Sequence, residues 1–215
     1  MTNKRTELVF ILDQSGSMSG LESDTIGGYN AFLKKQAAID SPCLITTVLF
    51  NDRYRLLHDR IDIRAVSPLT DKDYQVGGST ALLDAMGQSI NKLMGIQKQT
   101  SPDYRADQVL FVIITDGQEN SSREYSLDRI KKMVEEQQKA DGWEFIFLGA
   151  NIDAITTAQA FGIGPDRAVD YLSDHEGTQL NYSALDRAIG SFRTSGKLAQ
   201  EGLDEIRQDV KNRGK

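Results

Sequence analysis

The sequence predicts an α/β fold: a Rossmann-like, doubly wound, mainly parallel sheet with one antiparallel edge strand, helices on both faces and an extra C-terminal helix. Three observations predict it. Continuous apolar runs at residues 8–12 and 109–114, and the mainly apolar run 44–50 with Thr46-Thr47 inside it, are those of strands buried on both faces. Each run stops at a short polar cluster, Asp13-Gln14-Ser15, Asn51-Asp52 or Thr115-Asp116-Gly117, as strands do where they open into loops. Between the runs, apolar residues recur at helical spacing, so strand and helix alternate along most of the chain.

Residues 8–12 (Leu-Val-Phe-Ile-Leu) form the first strand. From 21 to 39, Ile26, Tyr29, Phe32, Leu33 and Ala37 mark one helical face, and Ser41-Pro42 ends the helix. Gly27-Gly28 lowers helix propensity there by about 1 kcal/mol per glycine relative to alanine, which close packing on the sheet would explain. Residues 44–50 form a second buried strand, and the mixed charged and apolar stretch 54–63 suits a more exposed edge strand. A polar loop, 68–76, runs into Gly77-Gly78-Ser79-Thr80. Then Leu82, Leu83, Met86, Ile90, Leu93 and Met94 mark a helix with Ser79 or Thr80 as its expected cap.

Residues 95–106, which hold Pro102, read as a connection, and 109–114 is the strongest central-strand signal. The charged helix 127–140 turns Ile130, Met133 and Val134 inward and is capped by Ser126. Residues 143–148 form a strand ended by Gly149-Ala150-Asn151, and a helix over 153–161 leads to a short strand near 168–172. From Thr178 the pattern is helical only. Leu180, Ala184, Leu185, Ala188, Ile189 and Phe192 form one stripe, and after Gly196 a second runs through Ala199, Leu203, Ile206 and Val210. The second stripe either folds back on the domain or is offered to a partner.

At 215 residues the chain fits one α/β domain with some extra length, and 39% hydrophobic with 26% charged residues is a globular composition. A formal charge of -6 argues against a nucleic-acid partner. No apolar run is long enough for a membrane span or a signal-peptide core, so a cytoplasmic location is expected. The single cysteine, Cys43, excludes an internal disulfide framework and a multi-cysteine zinc site, and is expected in the core at the start of a strand. His58 and His175 adjoin no serine of a nucleophile turn and are expected at the surface. Gly77-Gly78-Ser79-Thr80 lacks the lysine of a P-loop, and no G-x-G-x-x-G follows the first strand, so a nucleotide ligand is not expected.

The polar loops carry the chemistry. Asp13, Ser15 and Ser17 stand at alternate positions with Gly16 between them, an oxygen-only set suited to a hard cation such as Mg²⁺ or Mn²⁺ rather than zinc. Alone this is also common turn chemistry, as Thr80 alone reads as a helix cap and Asp116-Gly117 as a turn. Gln118, Glu119 and Asn120 are read as a solvated rim. Together Asp13-x-Ser15-x-Ser17, Thr80 and Asp116 point to one metal site.

In these motifs, over roughly residues 6–172, the chain resembles the von Willebrand factor A (vWA) family and its metal-ion-dependent adhesion site (MIDAS). The wording Asp-Gln-Ser-Gly-Ser-Met, Gly-Gly-Ser-Thr-Ala-Leu and Ile-Thr-Asp-Gly strengthens the resemblance, and the polar style of the chain is most similar to stand-alone bacterial or phage members. The resemblance implies a vWA domain over 1–195 and a C-terminal helical extension over 196–215. It implies that Ser15, Ser17 and Thr80 give hydroxyl oxygens to Mg²⁺ (or Mn²⁺, or Ca²⁺), with Asp13 and Asp116 holding the ion directly or through water. A protein partner would then present a Glu or Asp to the open coordination position, making the chain a binding module and not an enzyme. The alternative is a Mg²⁺-dependent phosphohydrolase using Asp13. Its usual pattern needs a second Asp where Ser15 stands.

Overall fold

The computed structural model describes residues 4–214. The outermost residues of the predicted 1–195 domain and 196–215 extension, 1–3 and 215, lie outside the described residues. Strands β1 (Thr6–Asp13), β2 (Cys43–Phe50), β3 (Tyr54–Asp62), β4 (Gln108–Thr115), β5 (Glu144–Gly149) and β6 (Ala168–Asp170) form one sheet. Its order is β3-β2-β1-β4-β5-β6. Every pairing is parallel except β2 with β3, which makes β3 the antiparallel edge.

The helices are α1 (Glu22–Ala37), α2 (Leu82–Gln99), α3 (Leu127–Asp141), α4 (Ala154–Ala160), α5 (His175–Ser195) and α6 (Asp204–Arg213). They complete the doubly wound α/β layers that the alternation of patterns predicts. Leu8, Phe10 and Leu12 enter a core shared with Tyr29 and Phe32 of α1 and Leu185 and Ile189 of α5. Val9 and Ile11 enter the opposite core, with Leu82 and Ile90 of α2 and Ile130 and Val134 of α3. Burying a side chain of this size contributes about 1.5–3 kcal/mol, which is why β1, covered on both faces, can be apolar throughout its middle. The strand order reverses between β1 and β4, so the crevice at their carboxyl ends is where such sheets bind ligands.

Four local readings change. Helix α2 continues through Gly95 to Gln99 because Met94 and Ile96 still pack on the core, so the connection begins only near Pro102. Helix α5 starts at His175, ahead of Thr178, since Asp174 caps it by accepting from the Gly177 N–H at 2.7 Å. His58 is buried, not at the surface: its Nδ1 lies 3.0 Å from Thr47 Oγ1, which also meets the Tyr29 hydroxyl at 2.5 Å. Gly28 faces α5 rather than the sheet, and a Cβ there would overlap the Tyr182 ring.

The second C-terminal stripe folds back. Leu203 and Ile206 are buried, and Arg207 donates to the carbonyls of Asp166 and Ala168 at 3.0 and 3.2 Å. Arg213, at the end of α6, pairs with Asp174 at 2.8 Å and with Asp209 at 2.6 Å. Among the described residues no helix is long and apolar enough to cross a membrane.

Glu7, at the start of β1, has a fully buried side chain. Arg60, at the left-handed φ of 51° in irregular β3, reaches it with Nε at 3.0 and 3.1 Å from the two carboxylate oxygens. Burial is the larger effect and pushes the Glu7 pKa up to about 7, although Arg60 pulls it down.

Two outcomes follow from this packing. Gly28→Ala should destabilise the chain by about 1–3 kcal/mol in a denaturant titration through overpacking against Tyr182. Gly27→Ala, with nothing within 4 Å of the new carbon, should be neutral or stabilising by up to ~1 kcal/mol. Between pH 4.5 and 7 folded Glu7 holds a proton that the unfolded chain has released, so lowering the pH favours the folded state. Wild-type stability measured relative to Glu7→Gln should therefore rise as the pH falls from 7 to 4.5, and a flat difference would contradict the assignment.

Candidate metal centre

Three loops meet at the β1/β4 crevice. The first leaves β1 at Asp13, whose carbonyl accepts from the Tyr74 hydroxyl. Asp13 Oδ1 accepts from the Ser15 N–H at 2.7 Å and Oδ2 from the Thr115 hydroxyl at 2.5 Å. The chain then turns through a 3-10 segment, Gly16–Met18, pinned by buried Met18. This turn leaves Ser15 Oγ and Ser17 Oγ 3.0 Å apart.

The second loop crosses the first. Gly77 N–H donates to the Gln14 carbonyl at 2.9 Å, and the Gly16 N–H donates to the Gly78 carbonyl at 3.1 Å. Gly78 has a φ of 79°, a left-handed backbone that favours glycine, and Asp52 Oδ1 lies 2.6 Å from where its Cβ would stand. The loop delivers Thr80, 3% exposed, to the crevice.

The third loop leaves β4 with Asp116 and Gly117. Asp116 Oδ1 accepts from the Ser17 hydroxyl at 2.5 Å, and Oδ2 lies 3.5 Å from the Ser173 hydroxyl. A Cβ built on Gly117 would stand 3.1 Å from Ser17 Oγ, 3.2 Å from Thr80 Oγ1 and 3.9 Å from Ser15 Oγ. The hydroxyls of all three predicted serine and threonine positions thus surround one point. The two predicted carboxylates are tied to the same loops, Asp116 through Ser17 and Asp13 through Ser15 and Thr115.

Burial pushes the Asp13 carboxyl up to about 6, against the hydrogen bonds from Thr115 and Ser15, and nearby Asp116 adds to the rise. Burial also raises Asp116, while Ser17 and Ser173 oppose the shift. These are acids held near each other by neutral donors, and an oxygen-ligated divalent cation would relieve both. Among the described residues no group of three or more His, Cys, Asp or Glu gathers, so the donor set is hydroxyl-rich rather than a carboxylate cage. That set and the Gly117 cradle fit Mg²⁺ or Mn²⁺.

Sequence reasoning missed the supporting residues. Gln118 and Asn120 are exposed, as a solvated rim would be, but Glu119 is half-buried and two of these residues also brace the site: Glu119 Oε2 accepts from the Leu83 N–H at 2.9 Å and Asn120 Oδ1 from the Thr80 N–H at 2.9 Å. Nor does Ser79 or Thr80 cap α2. Its N-cap position is Ala81, and its free N–H groups are taken by Glu119 and by Ser122, whose Oγ accepts from Asp84 N–H at 3.1 Å. Thr115, which the sequence marks only as part of the cluster ending its strand, also reaches the site, as do Tyr74 and Ser173 from positions that no local pattern singles out.

By sequence, no protein-family model matches the chain, and no curated protein matches it. Solved structures do. The chain is similar to the D319A mutant of the PilB minor pilin from Streptococcus sanguinis, at 12% identity and a TM-score of 0.62, covering 90% of this chain and 64% of that one. It is similar to a von Willebrand factor type A protein from Catenulispora acidiphila, at 12% identity and 0.57, covering 86% and 42%. It is also similar to the ArnB paralog VWA2 from Sulfolobus acidocaldarius, at 17% identity and 0.52, covering 86% and 45%. The chain spans less than two thirds of the length of each of these structures. What they share with it is architecture: the fold of this chain is vWA-like.

Proposed function

We propose that the chain is a divalent-cation-dependent protein-binding module of MIDAS type, which captures a Glu or Asp of a partner protein. The observation that carries this reading is the convergence of Ser15, Ser17 and Thr80 hydroxyls around Gly117, with Asp13 and Asp116 tied to the same loops. A bound Mg²⁺, or Mn²⁺, supplies positive charge with a coordination position open to an outside carboxylate. Ser15, Ser17 and Thr80 offer the oxygens, and Asp13 and Asp116 balance the charge. Neutral hydroxyls leave the ion more electrophilic than a carboxylate cage would, which favours an acidic ligand from outside.

The surroundings suit a protein ligand. Ser17, Gly16 and Gly78 are exposed at the mouth. Beside them, and sharing Gly117, lies a mainly apolar groove of about 410 Å³ walled by Leu83, Leu127, Ile152 and Phe161. Asp13 is 1% exposed with both oxygens already accepting hydrogen bonds, which counts against the nucleophile that a phosphohydrolase would need.

Mg²⁺ or Mn²⁺ at about 100 times its dissociation constant should raise the thermal midpoint by roughly 5–10 °C. Ser17→Ala, which also removes the hydrogen bond to Asp116 Oδ1, should lower the metal-free midpoint by a few degrees and abolish the further rise with the cation. An equal rise in wild type and Ser17→Ala would refute the site. Recovery of a partner from source-cell extract should in turn need the cation, be lost with chelator, and be lost with Ser17→Ala. Recovery that ignores chelator would refute the proposed mode of capture.

A further inference from the structure

Residues on either side of the cradle are laced together more tightly than a cap for α2 requires. The backbone of Thr80 is bonded twice to one residue: its N–H donates to Asn120 Oδ1 at 2.9 Å, and its carbonyl accepts from the Asn120 N–H at 3.0 Å. Next along, Leu83 N–H donates to Glu119 and Asp84 N–H to Ser122 Oγ. The Asp84 carboxylate answers by accepting from the N–H groups of Arg123, Glu124 and Tyr125 at 2.8–2.9 Å. Behind these bonds the Tyr125 ring lies where a Cβ on Gly87 would stand.

We propose that Asn120 is a positioning residue for the metal site, with Glu119 in support: it locks Thr80 to the Asp116 loop, so that the Thr80 hydroxyl is already aimed into the cradle before any partner arrives. The inference rests on the metal-binding reading above and deepens it. Threonine is stiff at χ1, so fixing its backbone on both sides fixes where its hydroxyl points. That hydroxyl lies 3.2 Å from the Gly117 Cβ position, and Ser17 Oγ lies 3.1 Å from the same point. Asn120 itself is four residues beyond Asp116 and exposed, and touches the cradle only through Thr80.

Mn²⁺ binding, followed by the spin-resonance signal of the free ion, tests this without any partner or activity. Asn120→Ala should weaken Mn²⁺ about fivefold in the wild-type background, the scale of one lost hydrogen bond. In a Thr80→Ala background the same change should cost less than twofold, because no hydroxyl remains to be aimed. Asn120→Asp keeps an acceptor for the Thr80 N–H and should bind Mn²⁺ at least as tightly as wild type. Equal losses from Asn120→Ala in both backgrounds, or a fivefold loss in Asn120→Asp, would overturn the positioning role while leaving the metal site standing. Failure of wild type to bind Mn²⁺, or binding unaffected by Asp116→Ala, would overturn the metal site and this inference with it.

Discussion

The arrangement depends on one buried carboxylate. Asp13 ends the strand at which the sheet's order reverses, and its two oxygens bridge the N–H of Ser15 in its own loop and the hydroxyl of Thr115 at the end of β4. Leaving a buried acceptor unsatisfied costs about 1–3 kcal/mol, more for a charged one, so both bonds hold the two strand ends together. Tyr74 ties in the loop that carries Thr80 by donating to the Asp13 carbonyl. The hydroxyls of the cradle sit on loops that this single residue fastens in place.

The opposite end of the same strand shows what the chain does when a buried acid is only structural. Glu7 receives a guanidinium, at the cost of a left-handed backbone at Arg60. Asp13 receives a backbone N–H and a hydroxyl, and Asp116 receives the hydroxyls of Ser17 and Ser173, with no cationic side chain among these partners. Charge left unbalanced at the ligand-binding edge of an α/β sheet, beside three convergent hydroxyls, is what makes a cation the fitting complement.

The sequence disclosed the sheet because its strands are buried on both faces, and unbroken apolar runs as short as 8–12 and 109–114 between polar clusters belong to such strands. The residues proposed to form the site could be picked out for a related reason: Asp13, Ser15 and Ser17 follow a strand directly, and Asp116 follows another. What stayed hidden was every contact made between loops distant in sequence. Glu119 caps a helix 36 residues away, and nothing near residue 119 reports that. His58 looked like a surface residue because edge strand β3 is polar. Yet its ring is covered where it meets Thr47, and periodicity carries no record of such a pairing. Likewise Gly28 showed that something packs closely, but only the fold names Tyr182 of α5 as the neighbour.

Anomalous diffraction from a crystal of the protein grown with Mn²⁺ tests the central claim most directly. The account predicts a single strong manganese peak within coordination distance of the Ser15, Ser17 and Thr80 hydroxyls, in front of Gly117. A well-ordered crystal at millimolar Mn²⁺ with no peak there, or with manganese bound only elsewhere on the surface, would contradict it.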